Sequence, residues 1–161
     1  MQVPHRFSIS EHDYWLLNHR MDSALPGYLM LASKLPAEDL SDLPHGALTE
    51  LGPLLAKVQS VLREKLNPVR VYIGRYGHSP GYPIHFHLIP VYDWVERLFW
   101  QDERYRLLEK FAEKPGPVET DGAELTLFIW REFCERSSPP RVAGPSIDEA
   151  IALLRAGLAR A

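Results

Sequence analysis

Residues 84–89 read Ile84-His85-Phe86-His87-Leu88-Ile89, an alternation with a period of two. Successive side chains on a β-strand point to opposite faces of a sheet. Ile84, Phe86 and Leu88 therefore share an apolar face, and His85 and His87 project from the other. Two imidazoles on one face can engage one ligand. Just before them, residues 74–81 hold three glycines (Gly74, Gly77, Gly81) together with Arg75, His78 and Ser79. A loop of this composition can turn backbone N–H groups toward an anion. It can equally be a plain hairpin connection, and a lone His-x-His is often only the polar side of an amphipathic strand. The combination of both features in one short segment is what favours a phosphate site. Imidazole can donate hydrogen bonds to phosphate oxygens, and its neutral form can attack phosphorus.

The rest of the chain supplies partners for that strand. Tyr14 to Leu17 form a short apolar run, residues 18–24 are polar and turn-like, and Pro26-Gly27 precedes the apolar run Tyr28 to Ala32. Two strands joined by a loop are expected there. Residues 35–43 suggest a short helical turn. Leu51, Leu55, Val58 and Leu62 then recur at helical spacing, which predicts a helix over 51–66. Pro53 falls in its first turn or kinks it, and Asn67-Pro68 ends it. Val69, Val71 and Ile73 alternate with Arg70 and Tyr72 as a half-buried strand. Further on, 102–112 has a helical pattern and 124–131 an alternating one, read as a fifth strand. Ser146 opens a last helix, with Glu149 as its capping-box partner and Ile147, Ile151, Leu154 and Leu158 as its apolar stripe. This order argues for an α+β fold with an antiparallel sheet.

The 161 residues fit a single domain spanning 1–161. A net charge of −3 gives no global basic field, so long nucleic acid is not expected as a partner. The single cysteine, Cys134, excludes an intramolecular disulfide and an all-Cys zinc site; it reads as a small buried hydrophobe. No long apolar run is present, so no membrane partner is expected and a cytoplasmic location is the default. Trp94, Trp100 and Trp130 read as core or interface residues rather than a base-stacking platform. Lys34 either lines a site or marks a strand end.

His85-Phe86-His87-Leu88-Ile89-Pro90 resembles the end of the histidine-triad (HIT) signature, His-φ-His-φ-His-φ-φ, which is often followed by Pro. Aligned on that ending, His85 takes the middle histidine's place and His87 the third. Leu25-Pro26-Gly27-Tyr28-Leu29-Met30-Leu31 is similar to the family's Pro-Gly-His-hydrophobic strand, and Leu17-Asn18 to its Val-Asn pair. The resemblance covers about residues 14–92, leaving 93–161 as a C-terminal extension. It implies a HIT-like fold with an antiparallel sheet of about five strands and a packed helix. It also implies a homodimer and a small nucleotide ligand; no cofactor is expected. In the family the middle histidine is the nucleophile at an α-phosphate, so the resemblance gives His85 that role. It gives phosphate contact to His87 and ribose contact to Asn18. Ser79 and nearby amides become phosphate candidates from the preceding loop. His78, Tyr72 and Arg75 are further candidates: His78 as a substitute imidazole, Tyr72 from the side of its strand shared with Arg70, and Arg75 as a phosphate partner.

Two positions depart from the pattern. Pro83 stands where the first histidine belongs, and Tyr28 where a histidine follows Pro-Gly. Proline can donate no hydrogen bond, and losing an orienting partner costs rate more than binding. Three readings follow. The chain is a nucleotidyl hydrolase or transferase acting through His85; or it binds nucleotide with little or no turnover; or His85 and His87 chelate a metal ion with His78 or Asp93 as third ligand.

Overall fold

The computed structural model describes residues 3–76, 81–106 and 119–160. Five antiparallel strands form one sheet: β1 (Ser8–Glu11), β2 (Trp15–His19), β3 (Leu29–Ser33), β4 (Arg70–Gly74) and β5 (His85–Val91), in the order β1-β2-β3-β5-β4. Among the described residues four α-helices accompany it: α1 (His45–Leu66), α2 (Asp93–Gln101), α3 (Gly122–Trp130) and α4 (Ile147–Leu158). Among the described residues no helix is long and apolar enough to cross a membrane.

The expected α+β architecture and the number of strands both hold, but the membership of the sheet differs. The first strand is Ser8–Glu11, and residues 124–131 are helical. Leu125, Phe128 and Ile129 are buried at helical spacing, and Asp121 caps the helix by accepting from the amides of Ala123 and Glu124. An apolar run this dense fits a period of two or of 3.6, and the cap decides for the helix. Asn18 and His19 belong to β2 and are buried, where a polar turn was expected. Helix α2 precedes the expected 102–112 segment, whose described part is a short 3-10 turn, Glu103–Tyr105. Helix α1 starts six residues before Leu51, so Pro53 lies inside it rather than in its first turn. Asn67 ends it in the left-handed conformation at φ 49°. On β4 only Val71 of the three expected core residues is buried, while Val69 and Ile73 are exposed.

Register sorts the two faces of the sheet. Leu17 pairs with Leu31 and Leu31 with Phe86; His19 pairs with Leu29 and Leu29 with Leu88. This face, with Trp15, is the one α1 covers: the Trp15 indole donates to the Ala47 carbonyl at 3.0 Å. Ala47, Leu54, Val58 and Leu62 of α1 are buried. On the other face Asn18 pairs with Met30, Met30 with His87 and His87 with Gly74, while Ala32 pairs with His85. The Tyr72 ring on this second face lies against Gly122 at the start of α3, where an added Cβ would be 3.2 Å from it. The C-terminal residues therefore reach the histidine face.

Candidate functional site

β5 enters its pairing immediately after Pro83, and that places His85. Its Nδ1 lies 3.0 Å from the Pro83 carbonyl oxygen. A carbonyl only accepts, so Nδ1 carries a hydrogen, and in the neutral ring the lone pair is on Nε2. His85 is half-buried. Pro83 thus contributes its backbone where it has no side-chain donor to offer.

His87 is wired differently. It is only 5% exposed, and its ring centroid lies 5.2 Å from that of His85. Its Nδ1 is 3.0 Å from the Tyr28 hydroxyl. Its Nε2 is sealed from solvent with no hydrogen-bond partner among the described residues. Burial pushes the His87 pKa down to about 4, and the Arg20 guanidinium and His85 push the same way. Asp22 and the Tyr76 backbone oppose them weakly. His87 is therefore neutral near pH 7. The Tyr76 ring lies edge-on to it at 5.4 Å.

Tyr28 does more than replace a histidine. Its hydroxyl receives a 3.0 Å hydrogen bond from Arg20. Burial pushes the phenol up to about 12, against the pull of Arg20. Arg20 in turn grips Asp22 through Nε at 2.6 Å and Nη2 at 3.1 Å. Partial burial disfavours the Asp22 carboxylate, but Arg20 outweighs it and holds the group below its usual range. The guanidinium lies 5.1 Å from the Tyr28 ring centroid and 5.4 Å from that of Trp130 in α3.

The other expected site residues are scattered. Asn18 lies in the same register row as His87, two strands away, and its Nδ2 donates to the His19 carbonyl at 2.8 Å. Tyr72 is on the histidine face but under α3. Arg75 is engaged elsewhere, donating to the Glu38 carbonyl at 2.5 Å and to Asp39 at 2.8 Å. Lys34 pairs with Glu11 at 2.7 Å. His78 and Ser79 lie outside the described residues. Trp94 stacks on Tyr92 and meets Phe133 edge-on, and the Trp100 indole donates to Thr120. Asp93 pairs with Arg97 at the exposed start of α2. Among the described residues no three His, Cys, Asp or Glu side chains come together as a metal site. Reading the sequence missed Arg20 and Asp22. The available signal was a basic and an acidic residue two apart before Pro-Gly-Tyr, in a segment read only as a turn.

No family model and no curated protein matches the sequence. Solved structures are similar in shape. A zinc-bound histidine triad family protein from Mycobacterium smegmatis aligns at a TM-score of 0.56 with 17% identity, over 98% of this chain and 86% of its own. The chain has the histidine-triad fold. A Plasmodium falciparum diadenosine triphosphate hydrolase aligns at 0.51 with 17% identity, over 68% of this chain and 82% of its own. A uridylyltransferase aligns at 0.59 with 13% identity, over 98% of this chain and 42% of its own. At these identities the likeness concerns the fold. Within the histidine-triad fold, the pair His85 and His87 sits on the strand beside β3, facing away from α1.

Proposed function

We propose that this protein binds the phosphates of a nucleotide at His85 and His87 and transfers the nucleotidyl group through His85. The observation that supports the reading best is the Pro83 carbonyl at 3.0 Å from His85 Nδ1. It orients the imidazole and leaves the Nε2 lone pair as nucleophile. In the proposed reaction Nε2 bonds to the α-phosphorus, and the bond from phosphorus to the leaving group breaks. The leaving group departs with the electron pair and takes a proton from solvent. Water, or another acceptor hydroxyl, then attacks phosphorus and loses its proton as the N–P bond breaks.

A second reading is binding with little turnover. Pro83 offers no side-chain donor where the resemblance expects a histidine. Turnover of adenosine and guanosine phosphoramidates and dinucleoside polyphosphates, with His85→Asn alongside, separates the two. The expected outcome is turnover and a nucleotidyl adduct seen by mass spectrometry in the parent protein, with both absent in the variant. Nucleotide binding by calorimetry without adduct or turnover would establish the second reading. No binding at all would end both. The homodimer expected by resemblance belongs to the same proposal and is checked by light scattering.

A further inference from the structure

We infer that Arg20, acting through the Tyr28 hydroxyl, fixes His87 as the tautomer with its hydrogen on Nε2, making it a neutral hydrogen-bond donor rather than a base. The argument is one of donors and acceptors. A guanidinium only donates, so the 3.0 Å contact from Arg20 Nη1 occupies the Tyr28 oxygen as an acceptor. The phenolic hydrogen must then go elsewhere, and His87 Nδ1 lies 3.0 Å away. If Nδ1 also carried a hydrogen, two donors would meet the Tyr28 oxygen. The phenolic hydrogen of a side chain 2% exposed would be left without an acceptor. The arrangement that gives the phenolic hydrogen an acceptor runs from Arg20 to Tyr28 to His87 Nδ1, and it leaves the hydrogen on Nε2, a buried donor without a partner among the described residues.

Arg20 does not serve as a ligand-binding cation. Nε and Nη2 are committed to Asp22 and Nη1 to Tyr28. Its side chain is 12% exposed and lies between the Tyr28 and Trp130 rings. It is a positioning residue. The groups that face His87 are Arg20, Asp22 and Tyr28 from the connection between β2 and β3, His85 on its own strand, and Tyr76 after β4. Cys134 in the turn after α3 acts on Arg20 and Tyr28.

The two Nε2 atoms would then differ in kind: a lone pair on a neutral His85, and on His87 a buried hydrogen that still needs an acceptor. What this means for a phosphoryl group rests on the nucleotide reading above. The tautomer does not, and it can be measured on the ligand-free protein. Long-range proton–nitrogen correlation spectra of the 15N-histidine protein, with His87→Gln to assign the signals, report which ring nitrogen bears hydrogen. The expected result at pH 7.5 is an unprotonated Nδ1 and a protonated Nε2 for His87. In Tyr28→Phe and in Arg20→Met the His87 titration midpoint rises by about one pH unit or more. A wild-type spectrum with hydrogen on Nδ1 overturns the inference, as does an unmoved midpoint in folded Arg20→Met. The expected tautomer without any nucleotidyl adduct would support the relay and sink only the functional reading. The adduct with the other tautomer would do the reverse.

Discussion

His85 and His87 lie two residues apart on one face, yet their surroundings set them to different tasks. His85 is half-buried and hydrogen-bonded to a backbone carbonyl. His87 is enclosed and held neutral, with a pKa pushed down to about 4 by burial, Arg20 and His85. That depression has a thermodynamic counterpart. In the unfolded chain His87 takes up a proton near its ordinary value of about 6.5; in the folded chain it resists until about pH 4. Its contribution to stability is complete above pH 6.5 and is lost as the pH falls toward 4. Between pH 7 and pH 5 the loss is on the order of 2 kcal/mol. His19, also buried and pushed down first by burial, acts in the same direction. Urea midpoints at the two pH values are expected to show this drop in the parent and a smaller one in His87→Gln. An equal drop in both would mean that His87 titrates normally. Of these residue-level features, the histidine pair was legible because the alternation is written in six adjacent residues. Arg20 was not, because it meets Tyr28 only once β2 and β3 pair and fold their connection back on itself.

Local signals decide the elements where they are chemically specific. Ser146 and Glu149 form the capping box that their spacing predicted: the Ser146 hydroxyl accepts from the Glu149 amide, and the Glu149 carboxylate accepts from the Ser146 amide. Replacing Ser146 by Ala is expected to cost about 1 kcal/mol, read as a lower urea midpoint at unchanged slope. No change would mean that solvent satisfies the first turn of α4 equally well. Helix α3 shows the opposite case. In the run Leu125, Thr126, Leu127, Phe128 and Ile129, the residues Thr126, Phe128 and Ile129 are favoured in strands, and the one polar side chain, Thr126, is itself buried and marks no period. Only Asp121 before Gly122 announces a helix. β1 was illegible for a different reason. Ser8-Ile9-Ser10-Glu11 has a single buried apolar residue, Ile9, and its place is set by pairing with β2 across a register shift between Ser8 and Ser10.

At the scale of the molecule, the question is how the residues beyond 92 relate to the sheet. They touch it at several places. Trp130 lies over Arg20, the Ala24 amide donates to the Phe133 carbonyl at 2.7 Å, and Tyr72 packs against Gly122. Within the extension itself, Glu132, buried in the turn after α3, accepts from Tyr105 and Arg104 and pairs with Arg136. At the far end α4 packs on α1, where Gly157 leaves no room for a Cβ beside Val61. Arg155 of α4 donates to the carbonyls of His5 and Ser8, at 2.8 Å and 2.5 Å. Such ties predict that residues 14–92 and the extension unfold together, as one domain. Tryptophan fluorescence weighs Trp94, Trp100 and Trp130 in the extension against Trp15 in β2, while far-ultraviolet circular dichroism weighs the whole backbone. The two urea transitions are expected to coincide. In Arg155→Met both should move together, by roughly 1–2 kcal/mol, because a charged donor to partly buried carbonyls is lost. A fluorescence transition preceding the other would mean that the extension is a separate unit docked on the histidine face. Arg20 would then lose its Trp130 contact before the sheet itself unfolds.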